Sequence, residues 1–293
     1  VSVKEPRSYG GEPVFAKTLQ NLDNLGRLTI ETPKTVVNLQ LEDNLWRVME
    51  IGNYYAGYRQ INNLFNDFAD ARIYRRRGPA TDADEKKFGL DDNAFRVITR
   101  DAGGQILNSV LIGKATADNL YHFARIEGEK DVFLITGNFS FPETAVSWLQ
   151  QPLLSLSPAD IRSLKIGQET AVRPDIIVPF RIKGKQAVPD ISRYLNALGF
   201  VAAYDVRRSA DFDRLQFSAP KSLTVTTFDG LVVTIEVYGR TGEEYWASFK
   251  FSTTTLPTTA VNDYIKSSAF LYEDWYFRLA PDVGRILFNA FIQ

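Results

Sequence analysis

At 293 residues the chain sits at the upper edge of what one hydrophobic core serves, so two domains are the starting expectation. Hydrophobic residues at 44% against 24% charged, with 20 Phe, 13 Tyr and 4 Trp, exclude a disordered chain. Lys and Arg total 34 against 35 for Asp and Glu; the net charge of −1 gives no global field for nucleic acid or an anionic membrane, and the lack of Cys excludes disulfides, thiolate metal sites and cysteine nucleophiles.

Val1 to Pro13 (VSVKEPRSYGGEP) is polar and carries Gly and Pro, the composition of a tether expected to follow an upstream piece that is missing. Pro13 then opens a helix of about three turns with Val14, Phe15, Leu19, Leu22 and Leu25 apolar, closed by Gly26. Strands are predicted at Leu28 to Glu31, Thr35 to Leu41 and Leu45 to Val48, as a meander. The clearest helix follows, where Ile61, Leu64, Phe65 and Phe68 hold the i, i+3, i+4, i+7 spacing and Asn62, Asn63, Asn66 and Asp67 take the other face.

Beyond it come a strand at Arg72 to Arg75, a polar loop from Gly78 to Lys87 and a strand at Phe95 to Arg100. Asp101-Ala102-Gly103-Gly104 turns this strand into Gln105 to Ile112. Strands near Tyr121 to Ile126 and Asp131 to Thr136 and a helical stretch at Pro142 to Leu149 close the first half. Ser157-Pro158-Ala159-Asp160 has the N-cap, proline and acid of a helix start, and the second half is expected to open there.

That half repeats the first in order. Ile191, Tyr194, Leu195 and Leu198 carry the spacing of Ile61, Leu64, Phe65 and Phe68; Asp205 to Arg208 follows as Ile73 to Arg76 does; Leu223 to Thr227 aligns with Phe95 to Thr99, and Gly239 with Gly113. Tyr245 to Lys250 aligns with Tyr121 to Ile126, which sets Trp246 against His122, and Phe277-Arg278-Leu279 with Phe133 to Ile135, ahead of a helix at Pro281 to Phe291. The expected fold is α+β: a 1–13 tether, then two tandem related units at 14–152 and 157–293, each a mostly antiparallel meander with amphipathic helices on one face. The second unit alone carries an inserted helical stretch near 257–268.

Several segments resemble a bacterial family known only as domain of unknown function 4340. They are Pro13-Val14-Phe15 leading to Leu25 through Ile30, Trp46-Arg47-Val48, Lys87 to Leu90, Val110 to Lys114, Val132 to Ile135, Trp148-Leu149 and Ser157 to Ile166. The resemblance implies an extracytoplasmic (periplasmic) domain held at the bacterial inner membrane by an N-terminal helix ahead of Val1. It further implies association with an ABC-type export system and a gliding-motility-like auxiliary protein. It brings no catalytic residues.

No catalytic or cofactor motif stands out. His122 is the only histidine, so any histidine-based scheme runs through one strand residue, and Gly113-Lys114 lacks the preceding glycine of a P-loop. Asp82, Asp84, Glu85, Asp91 and Asp92 lack calcium-loop spacing, and Arg72, Arg75, Arg76 and Arg77 fit a polar sheet edge. The candidates for a binding surface are the aromatic groups Tyr54, Tyr55, Tyr58 and Trp275, with core packing as the competing account. The expected function is an accessory module that contacts membrane transport-system proteins or holds a glycan. No catalysis, cofactor, metal or nucleic acid is expected, and a membrane is met only through a tether outside this chain. The alternative is a carbohydrate-binding or carbohydrate-processing domain.

Overall fold

The computed structural model describes residues 11–182, 191–240 and 242–289. The chain divides into two compact units, Val1–Gln150 and Gln151–Gln293. The α+β class holds, with an antiparallel sheet in each unit. Residues 1–10 of the polar lead, and the end of the helix expected to reach Phe291, lie outside the described residues.

In the first unit α1 (Ala16–Gln20) precedes β1 (Leu25–Glu31), β2 (Val36–Glu42), β3 (Leu45–Val48) and β4 (Tyr54–Tyr55). Next come α2 (Tyr58–Asp70), β5 (Arg72–Pro79), α3 (Asp82–Phe88), β6 (Phe95–Asp101), β7 (Ile106–Ala115), β8 (His122–Ile126) and β9 (Asp131–Thr136). The strands form one nine-stranded sheet in the order β4-β3-β2-β1-β6-β7-β8-β9-β5. Residues 11–14 lie along the start of the edge strand β5: the Ile73 N–H donates to the Glu12 carbonyl (2.8 Å) and the Val14 N–H to that of Ala71 (3.1 Å).

The helix expected from Pro13 is shorter, because a 3-10 turn at Leu22–Asn24 ends it and Leu25 and Gly26 already belong to β1. Gly26 is therefore no helix cap. A Cβ on it would stand 2.7 Å from the Cα of Ala102, so the glycine permits a close backbone approach.

The periodicity of α2 is realised: Ile61, Leu64 and Phe68 are buried, worth roughly 4.5–9 kcal/mol before entropy. Phe68 stacks on Phe15 at 4.3 Å. Thr18 of α1 reaches the hydroxyl of Thr99 (2.6 Å) and the Asn108 carboxamide oxygen (2.8 Å). This anchors α1 on the face where Leu28, Ile30, Val97, Val110 and Ile112 meet across the ladders.

The segment expected as a loop at Gly78 to Lys87 holds α3 instead. Thr81 and Asp84 form a reciprocal capping box, and Gly89, at φ 67°, closes the other end. Phe88 stacks on Phe123 at 4.2 Å. Phe123 neighbours the buried Ala124, so α3 lies on the face opposite α1. The helical stretch near Pro142 to Leu149 is a 3-10 turn, Ala145–Trp148, with Trp148 buried.

The second unit contains β10 (Ile161–Ile166), β11 (Glu169–Val172), β12 (Arg181–Ile182), α4 (Ser192–Gly199), β13 (Ala203–Arg208) and β14 (Lys221–Thr227). They are followed by β15 (Leu231–Arg240), β16 (Glu244–Thr253), α5 (Thr259–Ser268), β17 (Trp275–Leu279) and α6 (Pro281–Phe288). Its eight-stranded sheet runs β12-β11-β10-β14-β15-β16-β17-β13, the same connectivity as the first once β4 is set aside. The approach to its edge strand is also covered by the unit's opening residues, through the Val201 and Leu154 backbone pair (2.9 Å) two residues ahead of β13.

Ser157 to Asp160 is a turn, not a helix start. The buried guanidinium of Arg173 takes its carbonyls and their neighbours, donating to Ala159 (3.0 Å), Ile161 (2.9 Å) and Ile176 (2.9 Å), so they have no need of a helix. The inserted stretch near 257–268 forms α5, capped by the Thr258 hydroxyl, which accepts from the Val261 N–H at 3.3 Å.

The ladders fix which residues correspond. Thr99 accepts from its cross-strand partner's N–H, Asn108 (3.0 Å), and Thr227 does the same with Leu231 (3.0 Å); both threonines are buried. With Val97 and Val225 equivalent, their partners Val110 and Val233 correspond, so Gly113 and Gly239 do not. Following β8 and β16 from there sets Ala247, not Trp246, against His122. The arginines do correspond: Arg75 and Arg76 face Leu134 and Phe133, while Arg207 and Arg208 face Tyr276 and Trp275.

Candidate functional site

The aromatic candidates separate. Tyr54 is buried in β4 against Val48, and Tyr55 is half-buried with the Arg47 guanidinium 4.5 Å from its ring centre. Only Tyr58, at the first turn of α2, is open, with 77% of its surface exposed. Trp275, in the second unit, is 5% exposed. Tyr54 and Trp275 are thus buried, and alternation along β4 sends Tyr55, the neighbour of Tyr54, to the opposite face, where it is only half-covered.

Trp275 nevertheless walls a cavity of the second unit. β16 pairs with β15 from Glu244 to Thr253, but with β17 only at Trp246–Arg278 and Ala247–Phe277. In the first unit the equivalent β8–β9 ladder continues to Arg125–Val132 and closes through the short loop 127–130. In the second, α5 and a 3-10 turn at Ala269–Leu271 intervene, and the chain re-enters the sheet late.

Where the strands part, a cavity of about 380 Å³ opens, lined among others by Ser248, Lys250, Phe251, Tyr272, Glu273 and Trp275. Its floor is a ring cluster in which Phe251 and Tyr272 lie 4.7 Å apart and Phe249 and Tyr272 5.8 Å. Tyr272 is locked by its hydroxyl, which donates to the Leu153 carbonyl at 2.5 Å, and burial pushes its phenol well up, so it stays a donor. At the rim Asp274 adopts φ 62°, and its carbonyl accepts from the Ser209 N–H at 2.7 Å. Arg208 stands 5.0 Å from the Trp275 ring centre. Apolar rings below, one ammonium and two carboxylates around the mouth suit the binding of an amphipathic ligand.

On the other face of this sheet Phe212, Tyr238, Trp246 and Tyr276 form a closed cluster, with Phe212 stacked on Tyr276 at 4.0 Å. Trp246 Nε1 donates to Glu244 (2.7 Å), and burial raises the Tyr238 phenol. The Trp275-Tyr276-Phe277 group is thus split between the two faces by alternation.

His122 places Nδ1 3.3 Å from the Gly113 carbonyl and its ring edge-on to Phe139 at 5.4 Å, the surroundings of a packed strand histidine. Hydrogen bonds from Thr81 hold Asp84, and those from Asn93 hold Asp91, below the usual carboxylate range. Among the described residues no three His, Cys, Asp or Glu gather as a metal site. Arg76 pairs with Asp131, and Arg77 lies 5.7 Å from the Phe88 ring centre. No helix among the described residues is long and apolar enough to cross a membrane.

Residues 46–188 match the family model described as Domain of unknown function (DUF4340), just under half of the chain. The match begins in β3 of the first unit and ends just beyond β12 of the second. No curated protein and no solved structure matches the chain.

Proposed function

The chain is a member of the DUF4340 family through residues 46–188, and from that premise we propose that it is an extracytoplasmic accessory module, membrane-tethered in the full-length protein. In this reading it serves an ABC-type export or gliding-like system by binding a protein or a glycan, without catalysis. The cavity between β16 and β17 carries the binding part: its size falls within the usual range of ligand sites, and its walls combine an aromatic floor with a charged rim. The resemblance supports the location and the partners.

The test is co-purification of the full-length protein with transporter permeases, in wild type and in Lys250→Glu, a change at an exposed position. Loss of the permeases in the variant, at an unchanged melting temperature, is the expected result. Their equal recovery from both would detach the cavity from the function, and a gene with no hydrophobic segment ahead of Val1 would sink the tether.

A carbohydrate-binding or carbohydrate-processing domain is the second reading, favoured by Glu273 and Asp274 beside Trp275 at the rim. A glycan array with a hydrolysis assay, silent at millimolar ligand, removes it. The two units are read as tandem copies of one ancestral unit, on the strength of their common connectivity and the matched Thr99 and Thr227 bonds.

A further inference from the structure

A strand inside a sheet satisfies both of its edges, and alternate residues turn their N–H and C=O groups to either side. β16 satisfies one edge completely, through β15 as far as Thr253. On its other edge the ladder to β17 ends at Ala247–Phe277, with Tyr276 and Trp275 of β17 next in register, so beyond Phe249 the outward groups as far as Thr253 have no strand across from them. The first unit shows what belongs there: Phe123, Ala124 and Arg125, which correspond to Ser248, Phe249 and Lys250, pair with Leu134, Phe133 and Val132 of β9. In the second unit Tyr276 and Trp275 of β17 stand in for Leu134 and Phe133, the chain ahead of them turns off at Asp274 toward α5, and the cavity lies where a longer β17 would run.

We propose that this cavity is a strand-addition slot that takes an extended peptide along Lys250–Thr253 of β16. The inference rests on the cavity being a binding site and names its ligand class. Alternation divides the demands on the ligand. Phe249 and Phe251 turn to the face holding Tyr264 and Tyr272, so every second ligand residue is apolar. Lys250 projects from the opposite face between Ser248 and Ser252, so the intervening residues are acidic or hydroxylated, as cross-strand pairs of opposite charge are favoured. Main-chain hydrogen bonds supply affinity and the alternating side chains supply selectivity.

The probe is an acetylated, amidated hexapeptide of alternating Glu and Val, tested against the whole chain by amide hydrogen exchange and Trp275 fluorescence. Exchange at the outward amides of Lys250–Thr253 is expected to slow about tenfold or more. The same peptide N-methylated at alternate residues should give no protection, and Lys250→Glu should weaken the parent peptide about tenfold. Equal binding of the N-methylated form overturns strand addition. Chito-oligosaccharides that perturb Trp275 where the peptide does not overturn the peptide but leave the binding site standing. Silence to both removes the inference and the binding site together.

Discussion

Asp67 lies near the end of α2, one turn before Asp70, and burial together with that neighbouring charge pushes its carboxyl up to about 6. A folded-state value above the ordinary 3.8 means that the ionised form is disfavoured by folding. The cost is fully present above pH 6 and fades as pH falls toward 3.8. Asp67→Asn should therefore stabilise the first unit at neutral pH by about 1 kcal/mol after allowance for solvent screening, with no gain near pH 4. Thermal melts at the two pH values decide it, and a gain that persists in acid refutes the assignment. Arg173 works in the opposite sense. Replacing it with Met leaves carbonyls of the turn before β10 without a donor and should cost the second unit about 2–4 kcal/mol in urea unfolding. Nothing around Arg173 announced this in the sequence, since Pro158 and Ile161 lie 15 and 12 residues earlier and only the β10–β11 hairpin brings them to it.

At the scale of elements, α2 was legible because its apolar residues obey one period and its polar ones the complement. α3 was not, because Asp82 to Phe88 is almost entirely polar and presents no stripe. Its signals were local: Thr81 with Asp84 three residues on, and Gly89 at the far end. Gly113 shows the cost of reading a glycine by motif. It lacks a P-loop's surroundings because it serves α3: a Cβ there would stand 2.4 Å from the Phe88 carbonyl. Gly113→Ala should displace the end of α3 and destabilise the first unit by about 1–3 kcal/mol. Hydrogen exchange should show faster opening at Asp82–Phe88 than in α2. Equal protection of both helices would mean that the contact relaxes freely. The cavity was illegible for a related reason: an inserted helix is visible in sequence, but the shortening it imposes on the β16–β17 ladder is not.

At the scale of the molecule, the boundaries of the family match and those of the compact units disagree, and physics favours the units. In the first sheet β1 lies between β2 and β6, and it contributes Leu28 and Ile30, both fully buried. A fragment cut at 46–188 loses β1 and β2 together with α1, leaving β3 with no neighbour linking it to β6, and it also lacks β13 to β17 from the second sheet. What remains of each core is open on the face where Phe15 met Phe68 and on the edge where β10 met β14. Such a fragment cannot bury enough apolar surface to offset its chain entropy. It should show no cooperative thermal transition and should bind a hydrophobic dye. A fragment spanning residues 11–150 keeps every strand of its sheet and should melt cooperatively. Circular dichroism melts of the two fragments under one buffer give the answer. A cooperative transition in 46–188 would mean that the family's boundaries, rather than the sheets, mark the unit that folds.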